Sequence, residues 1–102
     1  MLRVVERVLG EGRVTRAGDV LGTVAYELSL YQDWSATPGG LVAGRFEVEG
    51  HFLAPAARLD DWSGVSAPLV LDLADGRRVD LYVVNLDGVV TSADTRGFYA
   101  VD

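Results

Sequence analysis

Three features of this 102-residue sequence predict an all-β, mainly antiparallel fold. Apolar and polar residues alternate with a period of two over much of the chain, the pattern of strands with one buried and one wetted face. Two Asp-Gly pairs, Asp75-Gly76 and Asp87-Gly88, sit between alternating runs, where they signal hairpin turns. Other turn residues recur at short intervals. These features predict a single domain, residues 1–102, built as a small closed or partly open β-barrel of about six to seven strands. A β-sandwich is the alternative. The barrel is favoured because closure removes the sheet edges that a short all-β chain otherwise exposes.

Along the chain, Leu2, Val5, Val8 and Leu9 fit a helical face, while the β-branched content favours a strand. Gly10-Glu11-Gly12 and Arg16-Ala17-Gly18-Asp19 read as turns. From Val20 to Tyr31 the even positions (Val20, Gly22, Val24, Tyr26, Leu28, Leu30) are apolar, and Thr23, Glu27 and Ser29 fall on the wetted face. From Leu41 to Leu53, Val42, Phe46, Val48 and Phe52 are expected to face inward, with Arg45, Glu47, Glu49 and His51 outward. Gly44 and Gly50 share the inward face, where glycine marks a bulge or sharp bend. Two loops are expected, Gln32 to Gly40 and Ala54 to Pro68, the second with a helical turn over Pro55–Asp61. Leu69, Leu71 and Leu73, then Val79, Leu81 and Val83, flank the first Asp-Gly pair. Tyr82-Val83-Val84 and Val89-Val90-Thr91 flank the second. With a last strand over Gly97–Val101, this region reads as a three- or four-stranded meander.

Composition narrows the function classes. Without cysteine there is no disulfide scaffold, thiolate zinc site or thiol nucleophile. The formal net charge of −6 opposes nucleic-acid binding, which depends on cations displacing counterions. Basic residues are all Arg and isoleucine is absent, a coding bias with little functional content. Charges at Arg3, Glu6 and Arg7 interrupt the first apolar residues, and no run reaches the ~20 apolar residues of a spanning helix. A cytoplasmic location and no membrane partner are expected. The positive mean hydropathy in so short a chain favours covering some apolar surface with a second copy.

Chemistry-bearing patterns are sparse. His51 is the only histidine, with Glu49 on the same face and Ser29 or Thr23 expected on a neighbouring strand. A general base needs an orienting carboxylate and a nucleophile beside it. Asp72-Leu73-Ala74-Asp75-Gly76 lacks the alternate oxygen ligands and closing Glu of a calcium loop. Asp72 and Asp80, with Arg77 and Arg78 beside them, read as a solvated charged face. Gly10-Glu11-Gly12-Arg13-Val14-Thr15 has two of the three glycines of a dinucleotide fingerprint without its context. Asp94-Thr95-Arg96-Gly97 misses the spacing of an aspartic protease. An OB-type platform needs outward aromatics and positive charge, whereas Tyr26, Phe46 and Phe52 fall on inward faces. No cofactor or metal is expected.

Tyr31, Trp34, Asp61 and Trp62 remain as candidate ligand- or partner-binding residues, at strand ends or in the longer loops. The tryptophans either plug the barrel ends, or form an association surface, or flank a binding mouth. The functional reading is a non-catalytic module acting through protein association, most simply as a homodimer. A small-molecule-binding barrel with a pocket near Trp34 and Trp62 ranks second, and a hydrolase using His51 third.

Overall fold

The computed structural model describes residues 1–64 and 67–101. Seven strands form one antiparallel sheet: β1 (Leu2–Arg16), β2 (Asp19–Thr37), β3 (Gly40–Leu53), β4 (Leu69–Asp72), β5 (Arg77–Val83), β6 (Val89–Ser92) and β7 (Tyr99–Ala100). A short helix, α1 (Ala56–Trp62), lies between β3 and β4. The sheet order is β4-β1-β2-β3-β6-β5-β7, and an additional β4–β5 pairing closes six of the strands into a barrel-like ring.

Inside the ring sit the apolar members of the alternating runs. Leu28, Val48, Phe52, Leu71, Leu81 and Val90 are each no more than 1% exposed. Burying each contributes on the order of 1.5–3 kcal/mol. Among the described residues no polar or charged side chain is fully buried. The interior is thus filled by side chains. Helix α1 adds Leu59 and Trp62, and the Trp62 ring meets Phe52 edge-on at 6.2 Å.

The N-terminal segment is a strand, and β1 continues straight through Gly10-Glu11-Gly12, where the sequence suggested a turn. These glycines serve close approach instead. A Cβ on Gly12 would overlap the backbone oxygen of Asp72, and one on Gly10 would press on the Tyr26 hydroxyl. That hydroxyl accepts a hydrogen bond from the Ala74 amide at 2.9 Å. The chain does turn at Ala17-Gly18, both with positive φ. Asp75-Gly76 and Asp87-Gly88 also turn it, with Gly76 at φ 92° and Gly88 at φ 86°.

Two further expectations change. The segment 32–40 is mostly strand, since β2 runs on to Thr37 and pairs with β3 almost to the turn at Pro38-Gly39. Between them the register shifts, with Gln32 opposite Phe46 but Trp34 opposite Ala43. The extra residue on β3 is a bulge around Gly44-Arg45, and it reverses the alternation beyond it. Val42 therefore pairs with Ser35 and is 52% exposed rather than inward. At the C-terminal end, β4, β5 and β6 form a three-stranded meander, and β7 returns to pair with β5 rather than adding a fourth strand beside β6.

Beyond the ring, β1, β2 and β3 project as a three-stranded arm. β1 pairs with β4 only at Val14 and Thr15, and β3 with β6 only over Glu49–His51. Among the described residues, Leu2–Leu9 make backbone ladder contacts with β2 alone, so their outer edge is open. The radius of gyration is 14.3 Å and the extents are 50 × 29 × 23 Å. A compact domain of this length has a radius of gyration of about 13 Å. The arm accounts for the elongation.

Candidate functional site

A concavity of about 520 Å³ forms a groove on the outer face of β2, β3 and β6. Its floor follows from register, because residues directly opposite on antiparallel strands point to the same side. Leu9 stands opposite Glu27, Glu27 opposite His51, and His51 opposite Val89. In the next row, Arg7 faces Ser29, Ser29 faces Glu49, and Glu49 faces Thr91. Val4, Tyr31 and Glu47 form a third row. Val84, from the β5–β6 connection, forms an apolar wall.

Charge is divided across this face. Arg7 lies on the β1 side, and Glu47 and Glu49 lie on β3, with no salt bridge to any of the three among the described residues. Several other carboxylates are paired with arginine. Asp72 takes Arg78 Nε at 2.6 Å and Arg13 at 3.3 Å, and Asp80 takes Arg96 at 2.7 Å. The charged face expected around Asp72 and Asp80 is thus a set of surface ion pairs, with Arg77 turned instead to Glu6 and Asp75.

The sequence candidates disperse. Trp62 is 5% exposed and belongs to the core. Its carbonyl accepts from Arg16 Nη2 at 3.0 Å, near the start of β2. Trp34 sits towards the opposite end of β2, half-buried, with the Arg3 guanidinium 5.8 Å from its ring centre and its backbone amide donating to the Met1 carbonyl. The two tryptophans therefore do not flank one mouth. Asp61 is exposed on α1. Tyr31 alone of the four lines the groove. His51 lines it too, exposed, with no hydrogen bond recorded to a carboxylate or hydroxyl among the described residues. Among those residues no group of three His, Asp or Glu side chains is placed to hold a metal ion.

Leu2, Val4, Leu9, Leu53 and Val84 gather on or around this outer face, and each is about half exposed or more. Sequence reasoning missed them because the open β1 edge and the bulge cannot be read from alternation alone. These features define the protein's class: an all-β chain with a filled, ring-like sheet and a projecting, partly apolar arm. No protein-family model, curated protein or solved structure matches the chain.

Proposed function

We propose that this protein is a non-catalytic association module that docks through its β1–β2–β3 arm onto another protein chain, most simply a second copy of itself. The observation that carries this reading is the arm's surface. Leu2, Val4, Val5, Leu41 and Val42 are between 48% and 52% exposed, and the adjoining strand edge has no neighbouring strand among the described residues. Open edges and clustered apolar residues favour pairing with other chains. The net charge of −6 favours a protein partner over a nucleic acid, and the absence of cysteine suits the cytoplasm.

Light scattering on a size-exclusion column, loaded from about 1 to about 100 μM, tests it by mass action. The expected result is a mass rising towards twice 11.0 kDa with loading. A monomer throughout would sink the homodimer. The groove beside Tyr31 supports a second reading, a small ligand with an apolar body and a positive charge. Its acidic floor motivates that class, and titration calorimetry with arginine and benzamidine is the direct check; no heat with either counts against it. The hydrolase reading has the weakest support, since among the described residues no hydrogen bond orients His51.

A further inference from the structure

We infer that Asp87-Gly88 is a site of spontaneous backbone modification, where aspartate converts to isoaspartate, while the matching pair Asp75-Gly76 ages far more slowly. These are the two Asp-Gly pairs of the sequence. Both occupy the same kind of turn. The Gly76 amide donates to the Leu73 carbonyl at 3.0 Å, and the Gly88 amide donates to the Asn85 carbonyl at 3.2 Å. Each aspartate is thus the third residue of its turn, and each glycine the fourth, with positive φ. Both aspartates are exposed. Glycine brings no side chain to hinder attack by its own amide.

The reaction begins when the glycine nitrogen attacks the carbon of the aspartic carboxyl group in its protonated form. A C–N bond forms, a C–O bond breaks, and the amide proton leaves with the hydroxyl as water. Water then reopens the five-membered imide. Where it opens at the main-chain carbonyl, the chain continues through the former side chain. The backbone gains one carbon and the mass is unchanged.

Attack needs a carboxyl group free to swing onto the amide. Asp75 is not free. Arg77 Nε and Nη2 hold its Oδ2 at 2.9 and 2.6 Å, and the Arg77 amide holds its Oδ1 at 3.0 Å. Those hydrogen bonds keep the Asp75 carboxyl below the usual carboxylate range, away from the protonated form that reacts. Among the described residues the Asp87 carboxylate has no hydrogen-bond or salt-bridge partner, and only its backbone amide is engaged, by Asn85 Oδ1 at 3.0 Å. Gly88 is the more tightly packed glycine, with its carbonyl accepting from the Phe52 amide at 2.7 Å. That bond fixes the peptide after Gly88, whereas imide closure turns the peptide before it.

The test ages the folded protein for weeks near neutral pH. Isoaspartate is then measured at both positions by electron-transfer fragmentation of the digest in a mass spectrometer. The level at Asp87 is expected to exceed that at Asp75 by about tenfold or more. In urea strong enough to unfold the chain, the two levels should agree within about threefold, because Arg77 no longer holds Asp75. Arg77→Gln, shown to be folded by circular dichroism, is expected to bring Asp75 within about threefold of Asp87 and to leave Asp87 unchanged. The comparison of folded with unfolded natural chain stands by itself if that variant does not fold. Equal levels in the folded chain, or a preference for Asp87 that persists in urea, would overturn the inference. So would a folded Arg77→Gln variant whose Asp75 stays intact.

Discussion

Arg77 gathers the most elaborate polar contacts in the molecule's described part. Its two terminal nitrogens reach the Glu6 carboxylate at 2.9 and 2.7 Å, while its Nε and Nη2 meet Asp75 at 2.9 and 2.6 Å. The Phe98 ring lies 5.1 Å beneath the guanidinium. Hydrogen bonds from Arg77 hold the Glu6 carboxyl below the usual carboxylate range, and the same is true of Asp75. A carboxyl with a lowered folded pKa stabilises the protein above its unfolded pKa, and that stability is lost as pH falls through the folded value. The urea midpoint is therefore expected to drop as pH falls below about 4. Glu6→Gln should lower it near neutrality and flatten the acid dependence, with an effect of about 1 kcal/mol because the pair is partly solvated. An acid profile identical in the variant would remove Glu6 from this account. The Asp75 turn was visible in the sequence. The Glu6 partner was not, because only the closed sheet brings β1 and β5 together.

At the level of elements, the seam between β1 and β4 depends on Gly12. Its missing side chain lets the Asp72 carbonyl sit against the β1 backbone. Gly12→Ala forces the strands apart and is expected to cost about 2 kcal/mol or more, within the range of overpacking a well-packed site. Chemical denaturation measures it, and an unchanged midpoint would mean that the seam adapts freely. This element also shows what the sequence concealed. Glycine signals both a turn and a close approach, and Gly10-Glu11-Gly12 carries no local cue to separate them. Alternation from Val24 to Leu30 was legible because one side of β2 is buried there, whereas Val20, expected on that side, lies beyond the register shift opposite Val14 and Thr15 and is 61% exposed. In the arm, Asp33, Ser35 and Pro38 interrupt that contrast, so a strand looks like a loop. One bulged residue near Gly44 then turned Val42 outward. The groove escaped notice for a related reason, since Arg7, Tyr31, Glu49 and Val84 meet only through register. Trp62, offered as a binding residue, packs in the core, and the helical turn expected over Pro55–Asp61 lies at Ala56–Trp62.

On the scale of the whole molecule, the ring joins two unlike halves. β1 to β3 form long hairpins between sequence neighbours, whereas β4 to β7 are short and lie after the helix. Only Val14 with Leu71, and Thr15 with Val70, join the two across the β1–β4 seam. Those partners lie more than half the chain apart, so loop closure opposes their meeting until most of the chain is in place. Time thus enters through the seam: the hairpins are expected to zip early and the ring to shut late. Refolding is expected in milliseconds to seconds, as for other sheets rich in distant pairings, and not in microseconds. In stopped-flow refolding, Gly12→Ala would then speed unfolding while leaving the folding rate nearly untouched, since a late contact is absent from the transition state. Equal slowing of folding would instead place the seam in the nucleus. Until the ring shuts, the apolar interior of β1 to β3 is open to solvent, and a crowded solution offers it the wrong partners first.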